Sequence, residues 1–218
     1  MAVVSFLGKV AAFLLIFTTN VLADNHSLSA SDKLFKEATD LVKSKEYEKA
    51  LKIFEQLANS NEHDAQYNLA ILLKAGKGKT KNYTDALYWS FLSKLGEIPE
   101  ANELVDDLID LLPEKTVEEI RQKVKTQLEN NVESGGKESI MHLGRFFLDV
   151  VTEKEYASAY KWFTVGAALG LNQAIALRDD VEEELTPEQI VEEQENAEKL
   201  FRSFIEQLEK VLDEENNS

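Results

Sequence analysis

The chain repeats part of itself at an offset of 73 or 74 residues. The segment 65–101 shares its spaced aromatic and small residues with the segment 139–174. In the same order, Tyr83, Ala86, Trp89 and Gly96 recur as Tyr156, Ala159, Trp162 and Gly170. Self-similarity at a fixed spacing is typical of repeat arrays, in which one unit buries its apolar face only by stacking on the next. The sequence therefore predicts stacked helical units.

The repeat extends beyond the aromatic segment. Residues 111–114 recur as 185–188, and Val117 recurs as Val191, so that each copy covers about 74 residues in four helical segments. A shorter relative, with Tyr47 and Ala50, precedes the two copies. A small residue after each tyrosine allows two helices to approach closely. Trp89 and Trp162 take equivalent places and are predicted to be core residues.

The motifs resemble a known family. Gly76-Lys-Gly78 followed by Tyr83-x-x-Ala-x-x-Trp is similar to a Sel1-like repeat, a relative of the tetratricopeptide repeat, and Tyr156-x-x-Ala-x-x-Trp is similar to another. Tyr47-x-x-Ala resembles the plain tetratricopeptide form. Residues 149–151 depart from the family, which usually has a Gly-x-Gly loop there, and residues 99–132 and 175–213 lie outside the usual repeat. The resemblance implies an α-solenoid that serves as a scaffold for binding other proteins.

The predicted fold is all-α: an α-solenoid of antiparallel helix pairs with inserted helices and a long C-terminal capping helix. Its expected units are a signal peptide (1–23), a tetratricopeptide-like repeat (24–62), a Sel1-like repeat with two inserted helices (63–136) and a Sel1-like repeat with acidic C-terminal helices (137–218). In the second inserted helix, Val117, Ile120, Val124 and Leu128 share one apolar face, and Arg121 is expected elsewhere.

Residues 1–23 have the pattern of a secretory signal. Lys9 is their only charge, an apolar core follows at 10–17, and Val21-Leu22-Ala23 supplies small residues for cleavage. The alternative is a membrane anchor, but the uninterrupted apolar run is only about 8 residues against the roughly 20 that a spanning helix needs. We therefore expect an exported protein without stable membrane insertion. A bacterial periplasm is the predicted compartment, with secretion or the endoplasmic reticulum lumen as alternatives.

Composition excludes several classes of function. The chain has 40 acidic and 24 basic residues, a net charge of −16, which disfavours nucleic acid as a partner because phosphate contacts need clustered Lys and Arg. It has no cysteine, so thiol nucleophiles and cysteine-ligated metals are excluded. Glu138 and His142 share a helical face, but a metal site needs three or four ligands. We predict no catalytic residue, no metal and no cofactor.

The last helix carries an apolar seam with spacings of three and four, which is typical of a coiled coil. Its residues are Ile190, Gln194, Ala197, Phe201, Phe204, Leu208 and Val211. It is expected to cap the open end of the solenoid; a surface for a partner helix or for self-association is the alternative. Residues 179–218 contain 15 acidic and 3 basic side chains, which predicts a solvated outer face, with a basic partner or weak calcium binding as alternatives.

A binding surface follows from the resemblance, because the first helix of each pair lines the concave face of such arrays. The residues not needed for packing are Phe35, Thr39, Tyr67, Ile71, Lys74, Met141, Arg145 and Asp149. Their mixture of aromatic, apolar and charged groups suits a peptide or an extended protein segment. The expected function is a non-enzymatic scaffold or adaptor. The alternatives are a cell-envelope enzyme or enzyme regulator acting on peptides or glycans, and a self-assembling structural protein.

Overall fold

The structure, a computed structural model, describes residues 29–216. In this part of the chain there are ten helices and no strand. They are α1 (Ala30–Lys43), α2 (Tyr47–Asn59), α3 (His63–Ala75), α4 (Tyr83–Leu95), α5 (Ala101–Ile109), α6 (Glu114–Glu133), α7 (Glu138–Asp149), α8 (Tyr156–Ala168), α9 (Ala174–Glu182) and α10 (Pro187–Asn216). The predicted all-α class is confirmed, whereas the predicted signal segment lies outside the described residues.

Side-chain caps fix where two of the helices begin. Ser29 accepts a hydrogen bond from the backbone N–H of Asp32, and the Asp32 carboxylate accepts one from the backbone N–H of Ser29, which forms a capping box at α1. The Asn82 side chain accepts from the Asp85 backbone N–H at 3.0 Å and caps α4. Such caps satisfy N–H groups that a helix leaves unpaired in its first turn.

Glycine makes the connection from α3 to α4 compact, as the Gly-x-Gly spacing predicts. Gly76 ends α3 in the left-handed region at φ 67°. Gly78 also has positive φ, and a Cβ there would lie 2.5 Å from the carbonyl oxygen of Tyr47. The turn can therefore pack against the start of α2 only because Gly78 lacks a side chain.

The packing order of α3–α6 recurs in α7–α10. Helix α4 packs against α3, α5 and α6, and α8 packs in the same way against α7, α9 and α10. Helices α1 and α2 form a pair that joins this arrangement through α3, and α6 connects the two sets by packing on α7. The result is a solenoid in which each helix contacts mainly its neighbours along the chain. The unit boundaries at 62/63 and 136/137 fall between helices and stay a prediction.

The alanine of each Tyr-x-x-Ala motif lies at the centre of the packing. Ala50, Ala86 and Ala159 are all fully buried, which lets their helices approach their neighbours closely. Trp162 is 8 % exposed, so its assignment to the core is confirmed. Trp89 is only half-buried, with its ring 5.0 Å from that of Tyr88 in an edge-on arrangement.

Helix α10 covers α8 with its apolar seam. Ala197 and Phe204 are buried, the neighbouring seam residues pack against the core, and the Gln194 amide donates to the Tyr160 hydroxyl at 3.1 Å. The capping role is confirmed, and self-association through α10 stays a prediction; the side chain of Val211 lies outside the described residues. Neither α10, although 30 residues long, nor another helix of residues 29–216 has the length and hydropathy to cross a membrane.

The two copies fall out of register at their last helix. Pro113 and Pro187 precede or begin α6 and α10 at an offset of 74, yet Val117 is 2 % exposed and Val191 is 57 % exposed. Ile190 packs against the core instead, so the equivalence of Val117 with Val191 is wrong. The buried faces correspond at an offset of 73. A shift of one residue turns a helix by about 100°, because one turn takes 3.6 residues.

Candidate interaction surface

The two predicted contact residues of α1 take part in packing within the first helix pair. Phe35 is half-buried, with its ring 5.6 Å from that of Phe54 of α2 in an edge-on arrangement. The Thr39 hydroxyl donates to the Lys36 carbonyl at 2.7 Å. Phe35 therefore stabilises the α1–α2 pair, and only its remaining exposed edge is available to a ligand.

Helix α3 presents a predicted apolar residue that is exposed. Ile71 is 38 % exposed, and half-buried Tyr67 lies one turn before it on the same stripe. Lys74, one turn after it, places Nζ 2.6 Å from Oδ2 of Asp107 on α5. Tyr67, Ile71 and Lys74 thus share one stripe of α3, and Lys74 joins the end of this stripe to α5.

Helix α5 adds acidic side chains that the sequence analysis did not select, because it placed them outside the repeat. Glu103 lies one turn before Asp107, and both are exposed, as are Asp106 and Asp110. The ion pair with Lys74 neutralises Asp107 alone. The surface shared by α3 and α5 therefore combines an apolar stripe with an acidic border; we call it the α3–α5 face.

The predicted residues on α7 divide into three environments. Met141 is 7 % exposed and would contact a Cβ added at Gly166 of α8, so its place in the contact surface was wrong: it is a core residue. The Arg145 guanidinium contacts Oε2 of Glu97 at 2.9 Å and Oε1 of Gln173 at 2.8 Å. Asp149 is exposed at the end of α7.

Arg145 therefore has a structural function. Its side chain is only 13 % exposed, and its two partners lie in the connections that follow α4 and α8. A guanidinium can serve two acceptors at once because its N–H donors point in fixed directions. It joins α7 to both neighbouring turns, and little of it remains for a ligand.

Two histidines meet where α3 begins. The rings of His63 and His142 are 5.1 Å apart in an edge-on arrangement, and Nδ1 of His63 lies 2.9 Å from Oε1 of Gln66. Burial, followed by the charges of His63 and Arg145, lowers the pKa of His142 to about 4. His142 thus contacts a second imidazole rather than Glu138. In residues 29–216, no three His, Asp or Glu side chains come together as a metal site would require.

Arg121 is a buried cation that the helical pattern missed. Its Nε donates to the Val150 carbonyl at 2.7 Å, and one terminal nitrogen donates to the Thr152 hydroxyl at 2.9 Å. Both acceptors lie in the connection between α7 and α8, where the second copy lacks a Gly-x-Gly turn. The hydrogen bonds of Arg121 hold this connection in place, where the first copy uses glycines. Because the bonded residues are far apart in the sequence, no local pattern predicts the contact.

Comparisons with known proteins extend this description. No protein-family model matches the chain, and no curated protein matches it. Among solved structures, it is similar to the crystal structure of a protective antigen present in uropathogenic Escherichia coli strains, which displays an SLR (Sel1-like repeat) fold. The sequence identity is 22 %, the TM-score is 0.37, and the match covers 81 % of this chain and 46 % of that one. The chain thus spans less than half the length of that antigen.

Proposed function

We propose that the chain is an exported, non-enzymatic repeat scaffold that binds a segment of another protein on the α3–α5 face. The observation that carries the proposal is the exposure of Ile71 between Tyr67 and the Lys74–Asp107 ion pair. A large apolar side chain beside ordered charges is the arrangement found where a peptide side chain docks.

The charges of this face favour a basic segment. Lys74 and Arg145, the two predicted basic contact residues, are paired with Asp107 and Glu97. Glu103 and Asp106 remain exposed beside them. A partner with one apolar side chain for Ile71 and Lys or Arg residues for α5 would match the face in both shape and charge.

The test uses a matched pair of exposed apolar residues. Envelope proteins are captured on the purified chain, on Ile71→Ser and on Val191→Ser, which alters an even more accessible apolar residue, on α10. We expect a partner that the wild type and the α10 variant retain and that Ile71→Ser loses, with weaker capture as the salt concentration rises. Equal capture by all three proteins would remove the α3–α5 face from the proposal.

Export has its own test. N-terminal sequencing of the protein recovered from its native cells should begin at Asp24, since Val21-Leu22-Ala23 is the proposed cleavage site. A protein that retains Met1 or Ala2 at its N-terminus would contradict export through a cleaved signal, and the scaffold proposal would then apply to another compartment.

A further inference from the structure

A cleft with a volume of about 870 Å³ lies between α6, α8 and α10, on a part of the molecule that the proposed function does not use. Its apolar floor consists of Val132, Trp162, Leu200 and Phe204. The cleft exists because α10 packs mainly on α8 and makes limited contact with α6, which leaves the two helices apart.

The corresponding site in the first copy of the repeat is smaller because a further helix lies against it. Trp89, the counterpart of Trp162, lies at a cavity of only about 100 Å³. Helix α7 lines that cavity with Ser139 and His142, and α6 contributes Gln127 and Asn131. A helix therefore occupies, in the first copy, the position that is open beside Trp162 in the second.

The side chains beside the two tryptophans differ in polarity, and this difference indicates which kind of ligand the cleft would bind. At the offset of 73 that aligns the buried faces, Leu200 and Phe204 replace Gln127 and Asn131. Gln127 and Asn131 contribute amides to the smaller cavity, whereas Leu200 and Phe204 contribute apolar side chains to the larger cleft. Phe204 is buried and Leu200 half-buried, so a partner that covers Leu200 would remove its remaining apolar surface from water, at about 25 cal/mol per Å².

Charge narrows the choice of partner. Glu129 and Glu133 stand on the α6 side of the cleft, and no Lys or Arg among the described residues lines it. Along α10 the lining runs from Leu200 to Gln207, about 10 Å at 1.5 Å per residue, which is the length of two helical turns. We propose that this cleft binds an amphipathic helix of a partner protein that carries Leu-like side chains on one face and Lys or Arg at its edge.

A synthetic peptide provides the probe. It has 14 residues of Leu and Lys, with Leu at positions i, i+3, i+4 and i+7. The controls are a scrambled peptide of the same composition and a peptide with Glu in place of Lys. The protein contains two tryptophans, so the variant Trp89→Phe makes Trp162 the reporter of occupancy. Circular dichroism confirms that each variant is folded, and titration calorimetry of the wild type measures the affinity independently.

The proposal predicts saturable binding of the patterned Leu/Lys peptide with a change in Trp162 emission. Leu200→Gln, which installs the residue of the first copy, should weaken binding by about tenfold or more, as hot-spot truncations do. Glu133→Lys should weaken it as well. Val191→Gln on another side of α10 and Ile71→Ser on the α3–α5 face should leave it unchanged, so this result is separate from that of the proposed function.

Three results would overturn the proposal: no saturable binding, equal binding of the scrambled or the Glu peptide, or an unchanged affinity of Leu200→Gln. Sedimentation of the protein without peptide supplies a fourth. A dimer that Leu200→Gln dissociates would assign the cleft to a second copy of this chain instead of a partner helix.

Discussion

The guanidinium of Arg121 donates to the main-chain carbonyl of Val150 across 29 positions of sequence, at 2.7 Å. This contact fixes the connection between α7 and α8 to α6, the helix that links the two copies of the repeat. Because Arg121 is 8 % exposed, water cannot readily replace a lost partner. The stability of the second copy should therefore depend on a residue of the first.

Replacing Arg121 by Ala should lower the free energy of unfolding by about 2–4 kcal/mol, because a buried carbonyl loses its donor and the packed side-chain stem is removed. Urea unfolding followed by circular dichroism measures the change. Thr152→Val, which removes only one acceptor of the same guanidinium, is the control and should cost about 1 kcal/mol. Equal, small effects of both variants would contradict a structural role for Arg121.

The His63–His142 contact predicts a pH-dependent stability. The pKa of His142 lies at about 4 in the folded protein and near 6.5 when unfolded. The unfolded chain therefore binds more protons between these values, and stability falls as the pH drops from 6.5 towards 4. At pH 5 the loss relative to pH 7.5 should be about 2 kcal/mol from this group alone.

The comparison that isolates His142 is the difference between the wild type and His142→Gln in urea unfolding at the two pH values. Other titrating groups contribute to both proteins and cancel in that difference. If the variant kept the full slope, the imidazole pair would not be its origin.

Gly96 makes room for an imidazole. A Cβ at this position would lie 2.0 Å from Cγ of His63, so Gly96→Ala should cost about 1–3 kcal/mol through overpacking. His63→Ala removes the obstacle, and the double variant should be more stable than the sum of the single changes predicts. Thermal melts of the four proteins complete the cycle. If the stability changes of the two single variants simply add, Gly96 would be required for the backbone conformation at the end of α4 and not to make room for the His63 ring.

Replacing Arg145 should lower the stability more than replacing Lys74, although both side chains form ion pairs. Arg145→Ala removes a mostly buried guanidinium with two partners and should cost about 1–2 kcal/mol. Lys74→Ala breaks one ion pair whose carboxylate is 58 % exposed and should cost less than about 1 kcal/mol. Chemical unfolding of both variants is the measurement. A larger loss for Lys74→Ala would reverse this assignment.

The sequence was sufficient to predict the helices and their repeat because those depend on local spacing. Ala86 and Ala159 recur at a fixed distance from their tyrosines and lie where two helices meet. Likewise, Val124 and Leu128 are buried on the predicted face of α6. Such patterns follow directly from the geometry of a helix with one buried side.

Other features depend on which helices meet, and periodicity does not carry that information. Arg121 was expected off the apolar face, but the arrival of the α7–α8 connection buries it. Met141 was expected on the surface, and α8 covers it. Val191 is exposed although its proline motif repeats that of Val117, and α10 begins at Pro187 whereas α6 begins one residue after Pro113. The repeated motif therefore does not show which residues of the two helices are equivalent in the packing.

The packing of each helix mainly on its chain neighbours has a consequence for how the molecule folds. Contacts that are close in sequence need little loop closure, so we expect rapid, stepwise assembly outward from a few centres. Helices α4 and α8 are those centres, because each packs extensively against three others. Their amide protons should exchange most slowly with solvent, while those of α1 and of the end of α10 exchange first. The chain would then open from its two ends before its middle releases.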